Sequence, residues 1–150
     1  MAGDSPIKFA LKGLKPMVDV IKDYAKKHPD KVAAALFQEA QIEMTEAKKR
    51  TPVSPTKAQY AAMGRTPPKD HVPGTLRASG MVSEPLRIGR QIRVVLSFGG
   101  AAKDYAIVQH ERLDFFHTTG QAKYLQSVLD ESRPYMAARL ASRMQGSGKE

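Results

Sequence analysis

The sequence predicts a single domain of the α+β class, with a small antiparallel sheet packed against two to three helices. Apolar residues recur at helical spacing in two long stretches, 30–50 and 121–144. In QIRVVLSF, residues 91–98, apolar residues alternate, which is typical of a half-buried strand. The chain of 150 residues has a length that suits one domain with a modest core.

The first third of the chain predicts a strand followed by two helices. IKFAL at 7–11 predicts a short strand, and LKPMVDVIKDYAKK at 14–27 predicts a helix that ends at His28-Pro29. Asp30 stands where an N-cap would begin the next helix, which Thr51-Pro52 ends. The predicted apolar stripe of that helix is Ala33, Phe37, Ala40, Met44 and Ala47.

Residues 51–74 contain five of the ten prolines and predict an extended arm or a long proline-rich loop, with one helical turn in AQYAAM. Two interpretations are open for this segment, since it either wraps a partner and orders on contact or is disordered. If it binds a partner, the candidate contacts are Tyr60, Arg65, Lys69 and His71.

The second half predicts a hairpin and a long helix. TLRASGMVSEPL at 75–86 indicates a weak strand in which Pro85 marks an edge or an end, and it would pair with residues 91–98 across a turn. AKDYAIVQHER favours a short helix or a turn. The last helix is predicted from about residue 121 to 144, with a kink or restart at Pro134, and 145–150 is expected to be a disordered tail.

Composition excludes several classes of function. The chain has no cysteine, which rules out disulfides and thiolate metal sites. No apolar run is long enough to cross a bilayer, and the first residues lack the apolar region of a signal peptide, so we expect a cytoplasmic protein without membrane contact. The net charge of +9 is spread along the chain and serves either solubility or an acidic partner.

Catalytic, metal and cofactor sites are not expected. The four histidines form no HxH or HExxH pair, the serines lack a GxSxG context, and no phosphate-binding glycine loop is present. Glu111 and Asp114 lie close together in the sequence, but they stand among basic residues. We therefore predict no catalytic residues, no cofactor and no enzyme activity.

Three arginines, Arg87, Arg90 and Arg93, surround the predicted hairpin turn. A basic β-ribbon can contact phosphates or enter a DNA groove, whereas a charged hairpin tip is commonly just solvated or placed against an acidic neighbour. No aromatic residues interleave the arginines as in single-strand binding surfaces. The three residues are therefore candidate contacts to DNA or to an acidic partner.

Several short motifs occur in an order that resembles a known family. They are "LKGL" before the first helix, "AKKRTP" at the end of the second, "PGTLRASG", "YAIVQHE" and "HTTGQAKYLQSVLDE". Together they cover about residues 7–143 and resemble the neck proteins of long-tailed bacteriophages, described as tail-completion, tail-terminator or head–tail connector proteins.

This resemblance implies a structural virion protein without catalysis. It implies a ring, of six subunits or a multiple of six, at the head–tail junction of a particle assembled in the bacterial cytoplasm. The implied partners are other copies, the head-closure or connector ring, the tail tube or terminator proteins, and double-stranded DNA in transit. The implied structural positions are Pro73, Leu76, Arg77, Tyr105, His110, Glu111, Gly120, Tyr124 and Leu125.

Overall fold

A computed structural model describes residues 15–69, 72–114 and 119–146. The elements in chain order are α1 (Lys15–Lys27), α2 (Pro29–Arg50), α3 (Lys57–Ala62), α4 (Thr75–Ala78), β1 (Met81–Val82), β2 (Leu86–Ile88), β3 (Gln91–Arg93), β4 (Leu96–Ser97), a 3-10 turn (Gly100–Ala102), α5 (Lys103–Glu111) and α6 (Tyr124–Gly146). The chain is mixed helix and strand with helix dominant, which confirms the α+β class. The predicted strand at 7–11 lies outside the described residues.

Helix α6 packs along α2, and this pair forms the frame of the molecule. The helical spacing of apolar residues predicted for 121–144 corresponds to the buried face of α6, which contains Leu125, Val128, Ser132, Met136 and Leu140. The helix continues through Pro134, so the predicted restart does not occur. Pro134 is exposed, and water can bond the carbonyl that loses its N–H partner there.

The buried face of α2 differs from the predicted stripe in its first half. Ala33 and Phe37 are only half-buried, whereas Val32, Ala35 and Glu39 are buried. The rotation occurs because α2 is covered by both α1 and α6, and because glutamates occupy part of the covered face. Farther along, Ala40, Met44 and Ala47 are buried as predicted.

The start of α2 also corrects a prediction. His28 is the N-cap residue, and its side chain makes no capping hydrogen bond. Pro29 begins the helix, because proline at the first position lacks only an N–H that would have no helical partner. Asp30 therefore lies inside the first turn, where its carboxylate pairs with Arg87 of the hairpin.

The hairpin is built from two short antiparallel ladders that differ in register. Strand β1 pairs with β4, and β2 pairs with β3 around a turn at residues 89 and 90. Between the ladders, residues 83–85 face only residues 94 and 95, as in a β-bulge. Pro85 has no N–H to donate there, while the hydroxyl of Ser83 accepts the N–H of Val95 at 2.9 Å.

The predicted strand at 75–86 is wrong in its first half. Residues Thr75–Ala78 form a helical turn that follows Gly74, whose φ of 83° lies in the left-handed region. The side chains of Thr75 and Ser79 bond backbone carbonyls three residues back, and these local bonds compete with a strand ladder. Strand structure begins only at Met81.

In the proline-rich segment, the predicted helical turn is confirmed as α3. Thr56 and Gln59 form a capping box that satisfies two backbone N–H groups at its start. Of the four candidate arm contacts, Tyr60 is half-buried, Arg65 and Lys69 are exposed, and His71 lies outside the described residues.

Buried side chains form two clusters. The first, which we name the junction core, lies where the end of α2 meets α5 and the start of α6, and contains Ala47, Leu76, Ala102, Ala106, Tyr124, Leu125 and Val128. The second, the bundle core, lies between α2 and the second half of α6 and contains Val32, Ala35, Met136, Leu140 and Met144.

Candidate functional site

Two of the residues for which the family resemblance implied a structural role, Arg77 and Gly120, contact the chain at Thr51, and three more, Leu76, Tyr124 and Leu125, share a buried cluster with Ala47, one helical turn before it. Thr51 is fully buried, and its hydroxyl donates to the carbonyl of Ala47 at 2.8 Å. Its own carbonyl accepts a hydrogen bond from Arg77 Nη2 at 3.2 Å. Arg77 thereby joins the end of α2 to the turn α4, while Leu76 packs in the junction core.

His110 is fully buried, and its ring meets that of Tyr124 in the junction core. Its Nε2 accepts the N–H of Gln126 at 3.4 Å, which assigns the ring proton to Nδ1, where it is donated to Glu111 Oε1 at 2.6 Å. Burial lowers the pKa of His110 below its ordinary value, although the carboxylate of Glu111 opposes that shift. His110 is therefore held as a neutral ring that joins α5 to α6.

Tyr124 is the largest side chain of the junction core and is 1 % exposed. Its hydroxyl donates to the carbonyl of Ala106 at 3.1 Å, and its ring meets Phe98 and His110 edge-on at centroid distances of 4.9 Å. Burial raises the pKa of Tyr124, so the hydroxyl stays protonated. Tyr124 thus connects the hairpin, α5 and α6.

Gly120 lies where the segment before α6 meets the end of α2. Its φ is +88°, and a Cβ built there would lie 2.5 Å from the backbone nitrogen of Pro52. The N–H of the next residue, Gln121, donates to the carbonyl of Arg50 at 2.9 Å. Only glycine permits both this conformation and this close approach of the two backbones.

Of the remaining positions for which the resemblance implied a structural role, some contact other residues of the fold and others are exposed. Glu111 also forms an ion pair with Lys123, and the hydrogen bonds from Lys123 and His110 lower the pKa of the Glu111 carboxyl. Leu125 is buried, whereas Pro73 is exposed and Tyr105 is 39 % exposed. On α5 it is the neighbouring Ala106, rather than Tyr105, that packs into the core.

A buried ion network between α2 and α6 escaped the sequence analysis. Glu39 and Glu43 are 1 % and 3 % exposed. Arg139 Nη2 lies 2.5 Å from Glu39 Oε1 and 2.7 Å from Glu43 Oε1, and Arg143 Nε lies 3.2 Å from Glu39 Oε2. The two glutamates stand four residues apart on α2, and the two arginines stand four residues apart on α6. This matched spacing is the feature of the sequence from which the network could have been predicted.

The network holds the helices together without providing an acid–base pair. Burial raises the pKa of Glu43, and the nearby Glu39 carboxylate adds to that effect, while a hydrogen bond from Ser132 and the charge of Arg139 oppose it. Both carboxylates face arginines rather than an open cleft. Within residues 15–69, 72–114 and 119–146, no three His, Asp or Glu side chains lie close enough to hold a metal ion.

The three hairpin arginines do not share one face of the hairpin. Arg87 is paired across the strands with Ile92, whereas Arg93 is paired with Leu86, so the two arginines project from opposite faces. Arg90 lies in the turn. All three nevertheless border one large groove, together with Lys22 and Lys26 of α1.

This surface, which we name the basic groove, lies between α1, α2, the hairpin and the last part of α6. Its volume is about 1080 Å³. Among the residues that the structure describes, the lining includes no aspartate or glutamate, and nine of the sixteen lining residues are apolar. The apolar floor is Ile21, Ala25, Pro29, Val32, Leu36, Ile92, Ala137, Leu140 and Met144.

No protein family model, no curated protein and no solved structure matches this chain. Among the described residues, no helix has the length and apolar character needed to cross a membrane.

Proposed function

We propose that this chain is a structural virion protein that forms a ring at the head–tail junction of a tailed bacteriophage. The proposal rests on the order of the family-like motifs along the chain. It is supported by the contacts of Arg77, His110, Gly120 and Tyr124, which join α4 to the end of α2, α5 to α6, and Gly120 to Pro52. Contacts of this kind suit the structural role that the resemblance implies for these positions.

In this proposal the two ladders serve as one small sheet against the helices, and residues 51–74 are an arm that binds a neighbouring subunit or ring. Tyr60, Arg65, Lys69 and His71 would make the arm's contacts. A second surface for neighbours lies on and after α5, where Ile107 is 51 % and Leu113 is 78 % exposed. A closed ring needs two different surfaces that bind each other around an axis.

Immunogold labelling and mass spectrometry of purified phage particles from the source system test this proposal. Gold at the head–tail junction, with a copy number of six or a multiple of six, is the expected result. Absence of the chain from intact particles would sink the proposal. Particles assembled with an Ile107→Glu variant should lose the label, whereas the exposed Lys103→Glu change on the same helix should not remove it.

Direct DNA binding through Arg87, Arg90 and Arg93 is the second candidate function. The observation that favours it is the convergence of these arginines with Lys22 and Lys26 on one groove. Retention of the protein on duplex DNA that falls steeply with salt concentration would support it, because phosphate contacts release counterions. Retention unchanged by replacing the three arginines with glutamine would contradict it.

A further inference from the structure

We propose that the basic groove binds an amphipathic helix with acidic flanks that belongs to a partner protein. This inference goes beyond the proposed function, since it rests on the groove alone and holds for a virion protein and for any other assembly. Three features of the groove identify the occupant: its charge, its floor and its size.

The charge of the groove selects an acidic partner. Of the described residues, five basic ones and no acidic one line it. Nearby carboxylates neutralise part of this charge, because Asp30 pairs with Arg87 and Asp23 lies 3.5 Å from Lys26 Nζ. Lys22, Arg90 and Arg93 have no ion pair within the part of the chain that the structure describes. These three cations remain available for an acidic ligand.

The floor selects an apolar face rather than a phosphate backbone. Ile21, Leu36 and Ile92 are half-buried against the bundle core, so part of each side chain still faces the groove. A DNA backbone offers no apolar surface to cover these side chains, whereas leucine-like residues on one face of a helix do. The walls are side chains of three helices and a hairpin, which corresponds to the helix-in-groove mode of recognition.

The size is compatible with a segment of protein. A volume of about 1080 Å³ lies at the upper end of the roughly 300–1,000 Å³ typical of small-molecule sites, and it has room for side chains from one face of a helix. The occupant that matches rim, floor and volume together is therefore an acidic amphipathic helix of another protein.

Fluorescence anisotropy with the full chain and synthetic peptides tests the proposal. The probe is an amidated peptide about 18 residues long, roughly five helical turns, with leucines on one face and glutamates elsewhere. It should bind with micromolar affinity, whereas a scrambled peptide of the same composition and a version with lysine for glutamate should bind at least about tenfold more weakly. Equal binding of the scrambled peptide would show a purely ionic contact and overturn the proposal.

Two pairs of variants locate the binding. Arg90→Glu with Arg93→Glu should weaken binding about tenfold or more, while the matched exposed pair Lys57→Glu with Lys103→Glu should change it less than about threefold. Ala25→Tyr fills the groove and should abolish binding, whereas Ala34→Tyr, at an exposed position of α2, should leave it unchanged. Thermal melts confirm that each variant is folded, and equal effects within both pairs would overturn the proposal.

Two further outcomes would assign the groove to another occupant. A DNA duplex that competes with the peptide and binds more tightly would make the groove a nucleic-acid site. Peptide binding that is detected only in the Phe9→Asp, Leu11→Asp double variant would mean that the chain's own first residues are the occupant of the groove. Either result overturns the proposal.

Discussion

The junction, by which we mean the junction core and the hydrogen bonds around Thr51, uses polar residues differently from the basic groove. At the junction, His110, Tyr124 and Thr51 are buried, and each has a hydrogen-bond partner inside the fold. At the groove, Arg90 and Arg93 are exposed and face no carboxylate in the described lining. Polar groups that have partners inside the fold stabilise it, whereas cations without them are free to bind something else. Substitutions should therefore separate the two regions.

The largest effect is expected at the centre of the junction. Tyr124→Ala should lower the free energy of unfolding by about 3–5 kcal/mol, because it empties a fully packed aromatic site. Tyr105→Ala, on the neighbouring helix but 39 % exposed, should lower it by less than about 1 kcal/mol. Urea unfolding followed by circular dichroism measures both, and equal losses would mean that the junction is not the main core.

Gly120→Ala sharpens the same comparison at the level of the backbone. We expect a loss of about 2–4 kcal/mol, since the residue has a positive φ and the new Cβ would meet the backbone of Pro52. Gly64→Ala is the matched control, because Gly64 has a φ of +65° but open space around it. Gly64→Ala should lower the free energy of unfolding by about 1 kcal/mol, which measures the conformational strain alone. A similar loss for Gly120→Ala would mean that the close approach to Pro52 contributes nothing.

The buried ion network is the third expected effect. Arg139→Leu leaves Glu39 and Glu43 without their shared cation and should cost about 2–3 kcal/mol, less than for a fully buried pair because Arg139 is partly hydrated. Arg133→Leu removes a surface partner of Asp130 from the same helix and should cost less than about 1 kcal/mol. Chemical denaturation of the two variants side by side checks the difference.

His110 should make stability depend on pH. Its pKa is lowered in the folded state from the ordinary 6.5, so the folded chain binds fewer protons than the unfolded chain in that range. Its contribution is therefore complete above pH 6.5 and is lost as the pH falls below it. Denaturation between about pH 8 and pH 5 should show this slope in the wild type and in His28→Gln, and a reduced slope in His110→Gln.

The smallest effect on stability is expected at the groove. Arg90→Glu with Arg93→Glu should change the free energy of unfolding by less than about 0.5 kcal/mol, since both side chains are exposed and carry no ion pair in the described lining. The same denaturation assay measures it. A loss comparable with that of Gly120→Ala would show that the rim is part of the structural core, and the contrast between the two regions would fail.

Apolar spacing and turn residues in the sequence predicted most elements of this fold. The predictions failed where polar side chains bond the local backbone or are buried. The stripe of α6 and the turn α3 followed from apolar spacing and turn residues. The strand predicted at 75–78 is a helical turn, since Thr75 and Ser79 bond their own backbone and Gly74 adopts a positive φ. The face of α2 was misplaced because spacing counts apolar residues only, whereas Glu39 and Glu43 occupy buried positions.

The amino-acid sequence by itself determined the class, the order of the helices, the hairpin and the excess of positive charge. These properties depend on neighbours a few residues apart, whose spacing and backbone preferences are written along the chain. Only the tertiary structure decided that two glutamates are buried against Arg139 and Arg143, that His110 is neutral, and that hairpin arginines and α1 lysines border one groove. Burial and ion pairing depend on residues dozens of positions apart, and packing alone brings those residues together.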